Sequence, residues 1–146
     1  LPLGTLLAIH GQGGAPLTLM VIGTVVVSDS AQYYTGRAFG RTPLAPAISP
    51  KKTREGALGG LIAGTLFVVL VGQRFVAAST PALVGLGVGL VIAGICGDLF
   101  ESRLKRASGV KDSSSIIPGH GGILDRIDAL LFAAPVFYFF LDAIRP

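Results

Sequence analysis

The chain has 146 residues, of which 51% are hydrophobic and only 14% are charged, and its mean hydropathy is +0.70. Soluble domains carry about 25% charged residues, so this composition argues against an ordinary soluble domain and indicates lipid as the solvent. The net charge of +4 is concentrated in loops, where it suits anionic lipid headgroups and nucleotide phosphates and requires no nucleic acid partner.

The first residues, LPLGTLLAI, are apolar and lack both a methionine and a charged region. They do not have the pattern of a signal peptide and look instead like the tail of a preceding helix. We therefore expect residues 1–146 to form a single membrane-embedded domain that is the C-terminal part of a longer protein.

Four segments carry few charges and approach the roughly 20 residues that a helix needs to cross a bilayer. They run from about Ala15 to Tyr34, Ala57 to Gln73, Pro81 to Phe100 and Ile123 to Ile144. Helices are favoured over barrel strands because the segments are too long for such strands and lack period-2 alternation. The predicted fold is all-α, a polytopic membrane protein with about four transmembrane helices plus the tail of an earlier helix.

Glycines recur inside the second and third spans, several of them at four-residue spacing. They are Gly59, Gly60 and Gly64 in the second span and Gly85, Gly87, Gly89 and Gly94 in the third. Small residues let helices approach closely in membranes, so we expect these glycines to make helix–helix contacts, with a homodimer as a further expectation. The third span also holds Cys96, the only cysteine, which excludes an internal disulfide.

Positive charge is concentrated in two of the three loops between spans. The first basic loop has Arg37, Arg41, Lys51, Lys52 and Arg54, and the second has Arg103, Lys105, Arg106 and Lys111. Alternating spans place both loops on one side, which the positive-inside rule makes cytoplasmic. Four aspartates lie at the same ends of the spans, namely Asp29, Asp98, Asp125 and Asp128. The pattern predicts one polar site at the cytoplasmic face.

A polar stripe is predicted at the end of the third span. If the helix continues to Lys105, Asp98, Glu101, Ser102 and Lys105 share one face. Acidic residues at membrane depth are costly and are usually functional, which makes Asp98 a candidate metal ligand. The alternative is a polar rim at the helix end, with Asp98 and Glu101 paired to Arg103 or Lys105.

Asp125 and Asp128 open the fourth span together with Arg126. Carboxylates at a helix N-terminus are favoured by the macrodipole, which would be sufficient to explain one surface aspartate. Two aspartates beside an arginine are better explained by Mg²⁺, which takes a few carboxylates and completes its shell with water and phosphate oxygens.

A glycine-rich turn, Pro118–Gly122, lies directly before this pair. Gly121 and Gly122 allow close backbone approach, so the turn is able to direct N–H groups at a phosphate. His120 is a candidate phosphate ligand, with a turn-stabilising role as the alternative.

The first basic loop mixes lysine, arginine and hydroxyl side chains. Lys51, Lys52 and Arg54 are candidates to hold a triphosphate, with hydrogen bonds from Ser49 and Thr53. The alternative is a loop whose charge only sets membrane topology. Three roles stay open for Asp29: a metal ligand, a partner of Arg37, or a charge at a helix end.

Two blocks of the chain, about Asp29 to Gly60 and Gly97 to Asp128, resemble the phosphatidate cytidylyltransferase (CDP-diacylglycerol synthase) family. The second block carries the family signature at Ser102, Lys105, Arg106, Lys111, Asp112, Pro118, His120, Gly121, Gly122, Asp125, Arg126 and Asp128. The first block carries a similar Gly-Arg-x-Phe-Gly-Arg run followed by Ser-Pro-Lys-Lys-Thr and Glu-Gly. The resemblance implies a nucleotidyltransferase of phospholipid biosynthesis that joins CTP and phosphatidate in a bacterial inner membrane.

The resemblance also implies roles for the candidate residues. One or two Mg²⁺ ions would be held by Asp98, Asp125 and Asp128. The groups that would neutralise the lipid phosphate or the leaving pyrophosphate are Lys105, Arg106, Lys111 and Arg126. Further contacts to substrate would come from Ser102, His120, Gly121 and Gly122.

Several other functions compete with this interpretation. One is a related CTP-dependent lipid enzyme, either a CDP-archaeol synthase or a polyprenol kinase. Another is a non-catalytic module that binds anionic lipid, which would need the basic residues but not the aspartates. A transporter is disfavoured because its acidic residues should lie near the middle of the bilayer, where the spans have none.

Overall fold

The computed structural model describes residues 2–107 and 124–144. Within these ranges the chain is mostly helical. Its elements are α1 (Pro2–Phe39), β1 (Pro43–Ala45), β2 (Ser49–Thr53), α2 (Arg54–Phe75), α3 (Thr80–Ala107) and α4 (Leu124–Ala143).

A break in the backbone divides α1 into two helical segments. Gly13 leaves the helical region with φ −145° and ψ 16°, and Gly14 follows with φ 65° and ψ −155°. The positive φ of Gly14 is a conformation that side chains with a Cβ rarely adopt. This break lies directly before Ala15, the predicted start of the first span. The second segment continues beyond the predicted end at Tyr34 to Phe39.

Three of the described helices are long and apolar enough to cross a membrane. They cover Gly4–Phe39, Arg54–Phe75 and Thr80–Ala107. By length and composition they make the chain an integral membrane protein. The helix α4 occupies the predicted fourth span, and a crossing of the membrane by this helix stays a prediction.

Neighbouring helices run antiparallel and form a bundle. In the described chain α1 packs on α2, α2 on α3, α3 on α4, and α4 returns to α1. The buried core between them contains Met20, Val68, Leu83, Leu90 and Phe137. The end of α1, the start of α2, the end of α3 and the start of α4 meet at one end of the bundle, as shown by the contacts of Gly56 with Gln32 and of Gly97 with Asp128 and by the Lys52–Asp98 pair.

The helix α2 faces the bundle with small residues and faces outward with large ones. Its buried positions, at four-residue spacing, are Gly56, Gly60, Gly64, Val68 and Gly72. Its exposed large side chains are Leu58, Ile62, Leu66 and Leu70. This distribution fits a helix in lipid, where close backbone packing rather than polarity distinguishes the inner face.

The glycine contacts confirm part of the sequence prediction and correct another part. A Cβ placed on Gly64 would lie 3.2 Å from Ser28 Cβ on α1, and one on Gly87 would lie 2.7 Å from Thr65 Cα on α2. The expected helix contact at Gly85 was wrong, because a Cβ there meets nothing within 4 Å. Two residues turn a helix by about 200°, so Gly85 and Gly87 point to opposite sides.

The first basic loop contains an antiparallel hairpin, β1–β2, which the all-α prediction missed. The register pairs Pro43 with Thr53 and Ala45 with Ser49, with an irregularity between these pairs. Ile48 N donates to Ala45 O at 3.1 Å and closes the turn. The strands are short and each contains a proline, so the segment lacks the alternation by which a strand is recognised.

Candidate active site

A cleft of about 480 Å³ opens at the end of the bundle where the hairpin lies. Its walls come from α1, from β2 with the start of α2, and from α3. The lining residues are Asp29, Gln32, Tyr33, Gly36, Arg37, Ser49, Lys51, Lys52, Thr53, Gly56, Ala57 and Asp98. Cationic, acidic and hydroxyl groups therefore share one concave surface beside the membrane helices.

The hairpin is fastened to the first turn of α2. One carboxylate oxygen of Glu55, Oε2, accepts hydrogen bonds from Arg41 N at 3.1 Å and Thr42 N at 3.2 Å. Arg54 N donates to Thr42 O at 2.9 Å, which continues the strand pairing to the helix. Thr53 caps the helix, because its Oγ1 accepts from Gly56 N at 3.1 Å. These bonds set the position from which Lys51 and Lys52 project.

Glycines allow α1 to approach this junction closely. A Cβ on Gly56 would lie 2.8 Å from Gln32 O on α1, and one on Gly36 would lie 3.0 Å from Thr53 Oγ1. Neither position has room for a side chain without displacement of its neighbour. The two glycines therefore allow the acidic end of α1 to face the basic hairpin across the cleft.

An ion pair between Lys52 Nζ and Asp98 Oδ2 joins the hairpin to α3. The two side chains are 24% and 30% exposed. Ser102 Oγ, one helical turn away, lies 3.5 Å from Asp98 Oδ1 at the limit of a hydrogen bond. The sequence assigned Lys52 to the nucleotide and Asp98 to metal without anticipating that the two would meet.

The polar stripe on α3 forms as expected, because the helix continues through Lys105 to Ala107. Lys105 Nζ pairs with Glu101 Oε2 at 3.0 Å, and the Glu101 side chain is only 7% exposed. This pair matches the helix-rim alternative for Glu101. Asp98 instead faces the cleft and pairs with Lys52.

Three aspartates from different helices share one electrostatic environment. The charges of Asp98 and Asp128 act on Asp29, and the charge of Lys52 opposes them. Gln32 Nε2 donates to Asp29 Oδ1 at 3.1 Å and to Ser28 Oγ at 3.2 Å, which orients the Asp29 carboxylate.

The backbone of α4 also lies close to α3 at this level. A Cβ on Gly97 would lie 2.7 Å from Asp128 O, so Gly97 allows α4 to approach. Asp29, Asp98 and Asp128 therefore lie at the end of the bundle where the sequence places them, whereas the side chain of Asp125, the fourth acid of that prediction, lies outside the described residues.

The donor set of this cluster suits a hard divalent cation. Four carboxylates face two lysines here, namely Asp29, Asp98, Glu101 and Asp128 against Lys52 and Lys105. Among the described side chains, those of residues 4–107 and 128–144, no three from aspartate, glutamate, histidine or cysteine are arranged as a ready-made metal site. Mg²⁺ usually takes one or two carboxylates and completes its shell with water and phosphate oxygens, so the residues present fit it.

The other predicted site residues divide into four groups. Ser49, Lys51 and Thr53 line the cleft, whereas Arg54 and Arg106 are exposed outside its lining. Asp125 and Arg126 belong to the first turn of α4, but their side chains lie outside what the structure describes. Outside the described residues altogether are Lys111, His120, Gly121 and Gly122.

From the sequence, Arg37 was a possible partner of Asp29 and Gly36 was part of the family-like run, whereas Gln32 and Tyr33 had no predicted role. Gln32, Tyr33, Gly36 and Arg37 all line the cleft, and Arg37 donates to Tyr33 Oη at 3.2 Å. The Asp29 carboxylate accepts a hydrogen bond from Gln32, whereas Arg37, the partner suggested for it from the sequence, donates to Tyr33. One signal in the sequence could have identified these residues. Asp29, residues 32–33 and residues 36–37 share one helix face, provided that the first span is extended beyond its predicted end at Tyr34.

Comparison with known proteins adds to this geometry. Residues 3–144 match the model of the cytidylyltransferase family. A phosphatidate cytidylyltransferase of Haemophilus influenzae is 46% identical over 136 residues, covering 87% of this chain and 46% of its own length. A phosphatidate cytidylyltransferase of Aquifex aeolicus is 45% identical over 125 residues, covering 86% of this chain and 47% of its own.

Another relative carries no activity in its name. The uncharacterized protein YnbB of Escherichia coli is 43% identical over 130 residues, covering 89% of this chain and 44% of its own. The chain thus spans about half the length of the curated relatives it matches.

Proposed function

The chain belongs to the cytidylyltransferase family, and on that premise we propose that it carries the catalytic centre of a phosphatidate cytidylyltransferase. Such an enzyme makes CDP-diacylglycerol and pyrophosphate from CTP and phosphatidate, for phospholipid synthesis. The observation that carries the proposal is the cleft in which Lys51 and Lys52 face Asp98 at one end of a membrane bundle. The names of the relatives from Haemophilus and Aquifex support the choice of substrates.

The proposed reaction exchanges one phosphoanhydride bond for another. An oxygen of the lipid phosphate attacks the α-phosphorus of CTP, a new P–O bond forms, and the bond to the β-phosphate breaks to release pyrophosphate. Both reactants are anions, so the main obstacle is charge repulsion. Positioning and electrostatic stabilisation are therefore the contributions required of the protein.

The hairpin supplies the groups that would bind the nucleotide. Lys51 and Lys52 project into the cleft from β2, and Ser49 lies on the same strand. Lysine ammonium groups are point charges that bind phosphate well, and a serine hydroxyl donates a further hydrogen bond. Thr53 already accepts a bond from Gly56 N as a helix cap, so its first role is to hold the hairpin. Arg54 would act from the rim rather than from the lining.

The acidic side of the cleft would hold Mg²⁺ through Asp98, Asp128 and Asp125. A bound Mg²⁺ would neutralise phosphate charge during transfer, and a second ion is part of the proposal. Asp29, oriented by Gln32, adds negative charge to the same surface.

The lipid phosphate would enter from the side of α3 and α4. The candidate groups for it or for the leaving pyrophosphate are Ser102, Lys105, Arg106, Lys111, His120, Gly121, Gly122 and Arg126. Lys105 is held by Glu101 at 3.0 Å, so it would act as part of that pair. An enzyme with this cleft at the membrane surface is able to take a lipid headgroup without removing the acyl chains from the bilayer.

The same proposal places the cleft at the cytoplasmic face of a bacterial inner membrane. Its support is the charge of the two basic loops, which the positive-inside rule assigns to the cytoplasm. CTP is a cytoplasmic metabolite, which agrees with this orientation. The homodimer expected from the glycine-rich helix faces stays a prediction.

The deciding experiment uses CTP labelled at the α-phosphate for CDP-lipid, and in parallel CTP labelled at the γ-phosphate for a phosphorylated lipid, and follows each label into lipid-soluble product. Purified protein in detergent is supplied with phosphatidate, with and without Mg²⁺, beside parallel reactions containing archaeal ether lipid or polyprenol. Metal-dependent CDP-lipid from phosphatidate supports the proposal. CDP-lipid formed only from ether lipid would indicate a CDP-archaeol synthase, and phosphorylated polyprenol would indicate a polyprenol kinase. Phosphatidate binding without any product would select a lipid-binding module.

A further inference from the structure

We propose that Lys52 and Asp98 form an exchangeable ion pair that couples nucleotide binding to metal binding. In this proposal Lys52 leaves Asp98 for a nucleotide phosphate, and the released carboxylate accepts the divalent cation. The inference rests on the proposed function, because it assigns these two ligands to the same cleft. It adds that neither ligand gains its full affinity until the other arrives.

The first argument is the position of the pair. Lys52 projects from β2 and Asp98 from α3, so that the ion pair links two walls of the cleft. Both residues belong to the cleft lining. Their side chains are 24% and 30% exposed, which leaves each of them accessible to a ligand from solvent. A ligand that enters the cleft therefore meets the pair.

The second argument is the surrounding charge. Asp29 and Asp128 act on the same region as Asp98, and Lys52 opposes them. If a phosphate alone removed Lys52 from Asp98, the phosphate would enter beside three uncompensated carboxylates. If a cation alone bound Asp98, it would have to displace the lysine. Each ligand thus reduces the cost of binding the other, which is a coupling free energy between two ligands.

The third argument is that each partner has a local alternative. Lys51 adjoins Lys52 on β2, so both ammonium groups are available to one chain of phosphates. Ser102 Oγ lies 3.5 Å from Asp98 Oδ1 and remains close to the carboxylate when Lys52 leaves. The hairpin is fastened through Glu55, not through Lys52 alone, so the exchange needs only side-chain movement.

The competing explanation is a permanent structural bridge that fastens the hairpin to α3. The two explanations predict opposite results when one partner is removed. Breaking a structural bridge loosens the cleft and weakens both ligands. Breaking an exchangeable pair removes a competitor, so that each remaining partner binds its own ligand more strongly when the other ligand is absent.

The first test measures Mn²⁺ binding without nucleotide, by the loss of the free-ion electron paramagnetic resonance signal. Lys52→Met should bind Mn²⁺ about fivefold more tightly than the unaltered protein, the size expected for release of a partly exposed ion pair. Lys51→Met is the matched control, because it removes the same charge from the adjacent exposed position. Equal gains in both variants, or a loss in Lys52→Met, would overturn the proposal.

The second test measures CTP binding in the presence of EDTA, by equilibrium dialysis with radiolabelled nucleotide. Asp98→Asn should bind metal-free CTP more tightly, because it releases Lys52 and removes a repelling carboxylate. Asp29→Asn removes an equal charge from the same cleft, where the Asp29 carboxylate accepts from the uncharged Gln32. A gain no larger than that of Asp29→Asn would refute the exchange.

These binding measurements remain informative whatever the reaction is. Coupled Mn²⁺ and CTP binding in a protein that makes no CDP-lipid would uphold the exchange and refute the proposed reaction. CDP-lipid synthesis by a protein in which Mn²⁺ and CTP bind independently would support the proposed reaction and refute the exchange. Each variant should elute at the same volume as the unaltered protein on size-exclusion chromatography in detergent, which shows that it is folded. The two tests are independent, because Lys52→Met and Asp98→Asn change opposite partners of the ion pair.

Discussion

The carboxylate of Asp98 receives Lys52 from the hairpin and lies beside Ser102 of its own helix. Its place in the helical stripe was visible in the sequence, because α3 continues through Lys105. The pairing of Asp98 with Lys52 was not visible in the sequence, because α2 and most of α3 separate the two residues along the chain. At the scale of single residues, spacing along one helix is readable, whereas a contact across the cleft depends on packing.

Replacement of Asp98 tests its catalytic assignment. Asp98→Asn should lower kcat by about 100-fold or more, since it removes a charged ligand from the reacting phosphates. The measurement is Mg²⁺-dependent conversion of CTP to CDP-lipid. Asp142→Asn is the control, because Asp142 is exposed at the opposite end of α4. A variant at position 98 with full activity would remove Asp98 from the metal site.

Glu55 illustrates a residue that acts through its neighbours. Its carboxylate accepts from Arg41 N and Thr42 N and so fastens the hairpin that carries Lys51 and Lys52. We expect Glu55→Ala to raise the KM for CTP about threefold to tenfold, with a smaller change in kcat, because it displaces the phosphate-binding lysines. Steady-state kinetics over a range of CTP concentrations provides both constants.

The conservative variant separates position from charge. Glu55→Gln keeps a carbonyl oxygen that is able to take the place of Oε2 and accept both backbone hydrogen bonds, so it should restore most of the affinity for CTP. If alanine and glutamine raised the KM equally, the carboxylate charge rather than the hairpin contact would be responsible.

At the scale of helices, the glycine positions decide how closely neighbouring helices pack. The glycine spacing in the sequence predicted close packing at both Gly64 and Gly85, but only the first of these faces another helix. The spacing identifies a face of a helix, whereas the neighbour of that face is decided by how the helices are rotated in the bundle. Gly87, which meets Thr65 of α2, carries the close contact on α3.

Two alanine substitutions on α3 test this packing. Gly87→Ala should destabilise the protein by about 1–3 kcal/mol, because the new methyl group would overlap the Thr65 backbone. Gly85→Ala should be neutral or slightly stabilising, because its methyl group meets open space and alanine favours the helix. Thermal unfolding in detergent, followed by circular dichroism, measures the difference. Equal melting temperatures would contradict the packing of α2 on α3.

At the scale of the whole molecule, antiparallel packing places the hairpin at one end of the bundle and the α2–α3 loop at the other. The sequence predicted this arrangement from the alternation of spans. The distribution of basic residues then predicts which end faces the cytoplasm, because cytoplasmic loops carry an excess of lysine and arginine.

Single-cysteine labelling tests the orientation. In a Cys96→Ala background, Arg41→Cys, between α1 and β1, should react with a membrane-impermeant maleimide only in inside-out vesicles. Ser79→Cys, in the short loop before α3, should react only in right-side-out vesicles. Both positions are exposed. Reaction of both cysteines from the same side would contradict the proposed crossing of α2.

The sequence alone determined the membrane character, the helices and the clustering of acids and bases at one end. These properties follow from local composition and period, since a bilayer requires long apolar helices and loops alternate between its sides. Tertiary structure decided the hairpin, the inward face of α3 and the meeting of Lys52 with Asp98. Such features depend on the rotation of each helix and on hydrogen bonds between distant segments such as Arg41 and Glu55, and no spacing within a single segment encodes them.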